Sequence, residues 1–216
     1  MNIEIWSDFA CPFCYMGKRR LELALEQFAN RSEVRIVYRS FELDPNAPRD
    51  VAIDVYDMLS SKYGVSRSQA IAMNRQVAEQ GKELGLIYRF DTMILTNTFD
   101  AHRLTHWAAV CGKQAEMAER LFRAHFTDSL HIGRHETLIA LAEEAGLDRA
   151  AAEEMLKGAA FAEEVRNDER EAARFGIRGV PFFLIDRKYA VSGAQPVDVF
   201  LEALRKGWEH HAGDNA

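Results

Sequence analysis

Two cysteines near the start of the chain, Cys11 and Cys14, have the spacing of a redox-active pair. They follow an alternating apolar run typical of a strand and precede a segment with the composition of a helix. Cysteines three residues apart on a first helical turn share one face and lie close enough to form a disulfide. Pro12 suits the first helical position, because the N–H that proline lacks would be unsatisfied there anyway. The sequence therefore predicts a strand, a sharp turn and a helix that opens with a dithiol.

The two sulfurs are expected to have different roles. Cys11 is predicted at the helix N-terminus, where unpaired backbone N–H groups and the positive end of the helix dipole stabilise a thiolate. We therefore expect Cys11 to be the attacking sulfur and Cys14, one turn deeper, to be the resolving sulfur. The alternative is half of a zinc site. Such a site needs two more Cys or His ligands, and the only other cysteine, Cys111, stands alone in an apolar stretch that predicts a mid-helix position.

Histidines also occur in pairs with helical spacing. His102 and His106 are four residues apart, as are His131 and His135. Neither pair belongs to a recognised ligand motif with a carboxylate partner, so no metal site is expected. The exchange chemistry of a dithiol also requires no cofactor.

The composition restricts the class of protein. The chain has 216 residues, 48% of them hydrophobic, which is enough for a sizeable core. A net charge of −6 with interspersed signs disfavours nucleic-acid and anionic-membrane partners. No run approaches a membrane span, and the N-terminus leads directly into a strand without the features of a leader. Three cysteines are too few for a disulfide scaffold, so we expect a cytoplasmic protein with a cycling disulfide.

Hydrophobic periodicity divides the chain into three parts. Residues 3–6 and 34–38 alternate as strands on either side of a helix that extends to about Asn30, a β-α-β unit whose strands should be parallel. Residues 50–159 show only helical segments, punctuated by glycine. The first is predicted from Val51 to a stop at Gly64, and Ser66 with Gln69 has the capping-box signature of the next helix start. A helix, two antiparallel strands and a last helix follow. We therefore predict an α/β protein with one domain formed by residues 1–45 and 160–216 and a helical insertion at residues 46–159.

Four segments carry a resemblance to a known family. They are SDFACPFCYMG at 7–17, NTFDAHRL at 97–104, GVPFF at 179–183 and VSGAQ at 191–195. In this order they resemble the FrnE-like branch of the DsbA family, whose members have a thioredoxin-like fold with a large helical insertion. The similarity spans nearly the whole chain.

The resemblance implies roles for further residues. Pro181 would have a cis peptide bond and face the disulfide, and Val180 would offer backbone groups to an extended substrate. Phe13 and His102 would also contact substrate. Two departures stand out: Phe13 replaces the tryptophan or histidine of many members, and Ile5 occupies the place of the buried carboxylate of thioredoxins.

We therefore expect a thiol–disulfide oxidoreductase that acts on protein thiols and disulfides or on low-molecular-weight thiols. One alternative is a glutathione-dependent enzyme of the kappa-class transferase or hydroxychromene-carboxylate isomerase type. Such enzymes share the architecture that the resemblance implies. Those enzymes generally have serine in place of Cys11 and lack the pair. A second alternative is a binding module with an inert cysteine pair.

Overall fold

The chain divides into two structural units in the computed structural model, which describes residues 1–214 and the side chains of residues 1–211. The first unit comprises Met1–Leu43 and the chain from Glu164 onwards, and the second comprises Asp44–Glu163. Whether these units are independent domains with the predicted bounds, 1–45 with 160–216 and 46–159, stays a prediction.

A four-stranded sheet forms the centre of the first unit. The elements are β1 (Asn2–Ser7), α1 (Pro12–Glu26), a 3-10 turn (Arg31–Glu33), β2 (Arg35–Ser40), α8 (Ala162–Arg174), β3 (Phe182–Ile185), β4 (Tyr189–Ser192) and α9 (Val197–Asp214). The strand order is β2-β1-β3-β4. β1 is parallel to β2 and antiparallel to β3, and β3 is antiparallel to β4. The predicted mixed α/β architecture is confirmed.

Helices cover both faces of this sheet, as the alternation in β1 requires. Ile5 is paired with Phe183, whose ring centroid lies 4.7 Å from that of Phe200 in α9. Trp6 points to the other face, where it is fully buried against Ala172 of α8. Its indole N–H donates a hydrogen bond to the carbonyl oxygen of Asp168 at 3.0 Å. The polar atom of the buried indole is therefore satisfied.

The second unit is helical. Its elements are α2 (Val55–Tyr63), α3 (Arg67–Glu83), α4 (Phe99–Val110), α5 (Gln114–Phe126), α6 (His135–Glu144) and α7 (Arg149–Lys157). α2 ends at Tyr63, and its C-cap Gly64 has a φ of 64°, in the left-handed region that glycine adopts without strain. α3 begins at Ser66 with a capping box formed with Gln69, as predicted. None of the helices in the described part of the chain is both long and apolar enough to span a membrane.

Two helix ends differ from the prediction. α1 ends at Glu26 rather than near Asn30. Cys111, predicted within a helix, is instead the exposed C-cap of α4. The reason is Gly112, which directly follows with φ of 70° and turns the chain away from the helix.

Candidate active site

Cys11 and Cys14 lie at the N-terminus of α1, as predicted. Cys11 is the N-cap residue and Pro12 occupies the first helical turn. The Cys11 N–H donates to the carbonyl oxygen of Asp8 at 3.0 Å, and the Cys14 N–H donates to that of Cys11 at 3.0 Å. Both cysteines are free thiols, with only 5% of Cys11 and 2% of Cys14 exposed. The turn after β1 therefore brings two reduced, nearly buried sulfurs to one helix end.

The Cys14 sulfur accepts a hydrogen bond from the N–H of Asp8 at 3.5 Å. Burial raises the pKa of the Cys14 thiol well above its ordinary value, and the neighbouring Cys11 sulfur raises it further. The hydrogen bond from the Asp8 N–H acts in the opposite direction. Cys14 is thus a protonated thiol at neutral pH.

This raised pKa predicts a pH-dependent stability. Because the folded protein holds the Cys14 proton more tightly than the unfolded chain, stability is complete below the unfolded-state thiol pKa of about 8.5 and falls as the pH rises above it. The slope approaches about 1.4 kcal/mol per pH unit for one proton. We expect urea unfolding of the reduced protein to show this loss between about pH 8 and 10. Cys14→Ser should lack this part of the slope. If the free energy of unfolding has the same pH dependence in wild type and in Cys14→Ser, the prediction is contradicted.

The loop before β3 covers Cys11. The Val180–Pro181 peptide bond is cis, and the Cys11 Sγ lies 3.6 Å from the Val180 carbonyl oxygen, to which it donates. The carbonyl oxygen of Pro181 accepts a hydrogen bond at 2.8 Å from the N–H of Gly193. Gly193 follows β4 and has a φ of 80°, so the fourth of the resembling segments holds this loop in place.

Gly17 permits close contact between α1 and the same loop. A Cβ at this position would lie 3.0 Å from Pro181 Cγ and 3.0 Å from Phe183 Cζ. Both distances are shorter than an ordinary carbon–carbon contact of about 3.5–4.0 Å. The glycine of the first resembling segment therefore has a packing role that its position in the sequence did not indicate.

Gly17→Ala is expected to destabilise the protein by about 1–2 kcal/mol, because overpacking costs about 1–3 kcal/mol and the helix propensity of alanine returns part of it. Urea unfolding measures the difference. Gly179→Ala is the matched control, since a Cβ there meets nothing within 4 Å. Equal stability of Gly17→Ala and wild type would show that the loop moves away without cost.

The other predicted site residues have different positions. Phe13 is 43% exposed on α1, beside the two sulfurs in sequence. His102 lies in α4 of the second unit and is only 3% exposed. Its predicted contact with substrate stays a prediction. Among the residues that the structure describes, no group of three or more His, Cys, Asp or Glu side chains is arranged to hold a metal ion.

Sequence reasoning missed Asp8 as a part of the site. Asp8 is 1% exposed, and its carboxylate accepts hydrogen bonds from the N–H groups of Ala10 at 3.2 Å and Leu43 at 2.7 Å. It thereby fixes the loop that delivers Cys11. The available signal was local: a polar pair that interrupts an apolar strand just before the cysteines.

The sheet order, the dithiol at the helix N-terminus and the proline loop beside it define a thioredoxin-like protein with a helical insertion. The DSBA-like thioredoxin domain family matches residues 2–205, and the chain belongs to this family. The family places the chain among oxidoreductases and isomerases in general. The FrnE-like branch stays a prediction.

Individual relatives agree with this assignment. The chain is 46% identical to a probable DsbA oxidoreductase from Streptomyces coelicolor, covering 97% of this chain and 90% of that one, with a TM-score of 0.93. It is 28% identical to the uncharacterised protein YwbO of Bacillus subtilis (strain 168) over 94% of this chain and 96% of that protein. The cytosolic disulfide reductase DsbM from Pseudomonas aeruginosa has the same fold at 16% identity, with 97% and 99% of the chains covered and a TM-score of 0.67.

A 2-hydroxychromene-2-carboxylate isomerase also shares the fold. Its identity is 16%, 99% of this chain and 98% of that chain are covered, and the TM-score is 0.70. The architecture alone is therefore common to disulfide oxidoreductases and to an isomerase of the type considered as an alternative.

Proposed function

We propose that the protein is a thiol–disulfide oxidoreductase that exchanges disulfides with protein or low-molecular-weight thiols through Cys11 and Cys14. The observation that supports it most directly is the pair of free, nearly buried thiols at the N-terminus of α1, with the Cys11 sulfur 3.6 Å from the Val180 carbonyl oxygen.

In the reductive direction, the Cys11 thiolate attacks one sulfur of a substrate disulfide. The substrate S–S bond breaks, one substrate thiol is released, and a mixed disulfide forms between Cys11 and the other half. Cys14 then attacks the Cys11 sulfur and releases the second substrate thiol. The substrate gains two electrons and two protons, and the protein is left with a Cys11–Cys14 disulfide. Oxidation of a dithiol substrate follows the same steps in reverse.

The roles of the two sulfurs follow from their positions. Cys11 is at the helix N-terminus, is the less buried of the two sulfurs and lies beside the Val180 carbonyl oxygen. Cys14 is more deeply buried and kept protonated by its raised pKa, so it is unsuited to make the first attack on a bulky substrate. We propose that Val180 and Pro181 align an extended substrate segment beside Cys11 through their backbone, and that exposed Phe13 provides apolar contact.

Protein disulfides and small thiols are both candidate substrates. The solved structure of DsbM from Pseudomonas aeruginosa with GSH shows a protein of this fold together with a small thiol. We also propose a cytoplasmic location, since three cysteines with one beyond the pair fit a cycling rather than a structural disulfide.

Thiol titration after mild oxidation tests the proposal. The chain has three cysteines, so the denatured wild-type protein should show three reactive thiols when reduced and one after oxidation. Addition of a dithiol reductant should restore all three. Cys14→Ser should not lose a pair of thiols as an intramolecular disulfide. A wild-type count that stays at three would contradict the proposal and favour a binding module with inert cysteines.

A further inference from the structure

A second concave site lies at the other end of β1 from the two cysteines. This groove has a volume of about 720 Å³, which is within the range of about 300–1,000 Å³ typical of small-ligand sites. All of its described lining belongs to the first unit. The lining residues are Asn2, Glu4, Arg35, Val37, Arg39, Asp186, Arg187, Lys188 and His211. The proposed exchange reaction uses none of them.

The groove is present because α8 covers only part of one face of the sheet. Side chains two apart on a strand share a face, so Asn2, Glu4 and Trp6 lie on the same face of β1. Trp6 is buried against Ala172 of α8, whereas Asn2 at the start of the strand is exposed. The residues of β2 that pair with these three are Arg35, Val37 and Arg39. The floor of the groove is therefore mostly polar, where contact with a helix would require apolar side chains.

Positive charge is concentrated around this groove. Its charged lining consists of four cationic side chains and two carboxylates, namely Arg35, Arg39, Arg187 and Lys188 with Glu4 and Asp186. The chain as a whole has a net charge of −6. A concave surface with an excess of one charge sign raises the local concentration of ligands of the opposite sign. The complementary ligand is an anion.

Glu4 holds two of the guanidinium groups in place. Its carboxylate is nearly buried and accepts hydrogen bonds from Nε of Arg187 at 2.7 Å, from Nη2 of Arg187 at 2.8 Å and from Nε of Arg39 at 3.0 Å. Burial would raise the pKa of Glu4, but the hydrogen bonds from Arg187 and Arg39 lower it overall, so the carboxylate stays charged. Nη1 of Arg187 and the guanidinium of Arg35 have no polar partner among the described residues. These N–H groups are available to a ligand.

The turn that carries Arg187 is an independent observation. The Lys188 N–H donates to the carbonyl oxygen of Ile185 at 2.9 Å and closes a turn whose central residues are Asp186 and Arg187. Their φ angles are 44° and 56°, in the left-handed region where glycine or asparagine is usual and arginine is uncommon. Residues held in such a conformation cluster at ligand-binding and catalytic sites. A long cationic side chain at this place is expected if its guanidinium has a use that glycine could not provide.

We propose that the groove binds a small polyanion, a molecule with two or more phosphate or carboxylate groups, through Arg35, Arg187 and Lys188. The planar guanidinium matches two oxygens of one phosphate or carboxylate, and the ammonium group adds a point charge. A ligand with a single charge would neutralise only one of these cations. The site is separate from Cys11 and Cys14, so it does not depend on the exchange function.

Amide NMR spectra of the isotope-labelled, reduced protein locate the site. Inorganic pyrophosphate and citrate are the two probes, and NaCl at equal ionic strength is the blank, because salt alone screens exposed charges. We expect both probes to cause saturable shifts in the amides of residues 2–4, 35–39 and 186–188. Saturation with pyrophosphate alone would identify phosphate as the group that binds, and saturation with citrate alone would identify carboxylate.

Two variants remove charge from the groove and leave the ion pairs of Glu4 intact. Arg35→Gln and Lys188→Gln should each weaken pyrophosphate binding at least about fivefold, because hydrogen bonds from charged donors are the stronger class. Arg75→Gln is the matched control, with the same loss of charge at an exposed arginine of α3 in the second unit. Its dissociation constant should stay within about twofold of wild type, since distant exposed charges are screened.

The outcomes separate this inference from the proposed function. Shifts that do not saturate with either probe, shifts confined to the N-terminus of α1, or equal weakening by Arg75→Gln would each overturn the binding site. The spectra also show whether each variant folds, and if one of the two groove variants does not, the other provides the test. A failure of thiol exchange in the wild-type protein would contradict the proposed function alone, because these shifts do not report on sulfur chemistry.

Discussion

Cys11→Ser is expected to lower the rate of insulin disulfide reduction by at least about a thousandfold, because a serine hydroxyl is not ionised at neutral pH and cannot form a mixed disulfide. The position of Cys11 at the helix N-terminus, beside the Val180 carbonyl oxygen, supports its proposed role as the sulfur that meets a substrate. Turbidity of reduced insulin measures the rate. Retained turnover in Cys11→Ser would favour an isomerase-like function.

Cys14→Ser should lose turnover by a different route. Cys11 still attacks, but no second sulfur is present to release the product, so mixed disulfides with glutathione or protein clients accumulate and are detected by mass. Cys111→Ser is the matched control for both variants. Cys111 is the exposed C-cap of α4, in the other unit, and its replacement should leave the rate unchanged.

Arg103→Met is expected to lower the free energy of unfolding by about 3–5 kcal/mol, the cost of breaking a buried ion pair on one side. The Arg103 guanidinium donates to the Asp100 carboxylate at 2.7 Å and to three backbone carbonyl oxygens, those of Met155 (3.0 Å), Gly158 (2.6 Å) and Ala160 (2.8 Å). The arginine is 4% exposed. Its loss would leave the C-terminal end of α7 without these donors.

The pKa of Asp100 shows the strength of its interaction with Arg103. Burial alone would raise the pKa of Asp100, yet hydrogen bonds from Arg103 and His135 lower it overall, so the carboxylate stays charged. Arg149→Met is the control, because the Arg149–Glu143 pair has both side chains 58% exposed and such pairs contribute about 0–1 kcal/mol. Equal urea midpoints for the two variants would contradict a structural role for Arg103.

Much of the fold followed from local sequence signals. The capping box at Ser66 and the stop at Gly64 gave helix boundaries because the atoms that satisfy a helix end are close in sequence. The start of α2 was expected at residue 51 but lies at Val55. Asp54 accepts hydrogen bonds from the N–H groups of Tyr56 and Asp57, and this cap fixes the start better than the apolar pattern did.

The candidate site, like the fold, was predicted from the sequence only where its residues are close together along the chain. Cys11 and Cys14 are separated by one helical turn, so their spacing indicated their proximity. The place of Val180 beside Cys11 came from the family resemblance alone, because the contact joins residues 169 positions apart. The hydrogen bond from the Asp8 N–H to the Cys14 sulfur depends on how α1 returns over the end of β1, which no pattern within either segment specifies.

Gly17 and His102 illustrate the limits of a motif. Both belong to segments that resemble the family, and a motif gives no indication of whether a residue serves chemistry or packing. The distances show that Gly17 makes room for Pro181 and Phe183. His102 is almost fully buried, a position typical of a residue in the interior of a helical unit.

The discontinuous construction of the first unit affects the order in which the ribosome delivers the site. Cys11 and the carbonyl that faces it are separated by 169 residues, with the whole second unit between them. At about 5–20 residues per second, synthesis takes roughly 10–30 seconds to span that distance. Throughout this interval, the central strand β1 lacks its partner β3, and the cysteines lack the loop that covers Cys11. The nascent chain therefore carries an uncovered dithiol long before the site is complete. During this time, other thiols and oxidants can react with its cysteines, so the pair is a substrate of thiol exchange before it is part of a finished site.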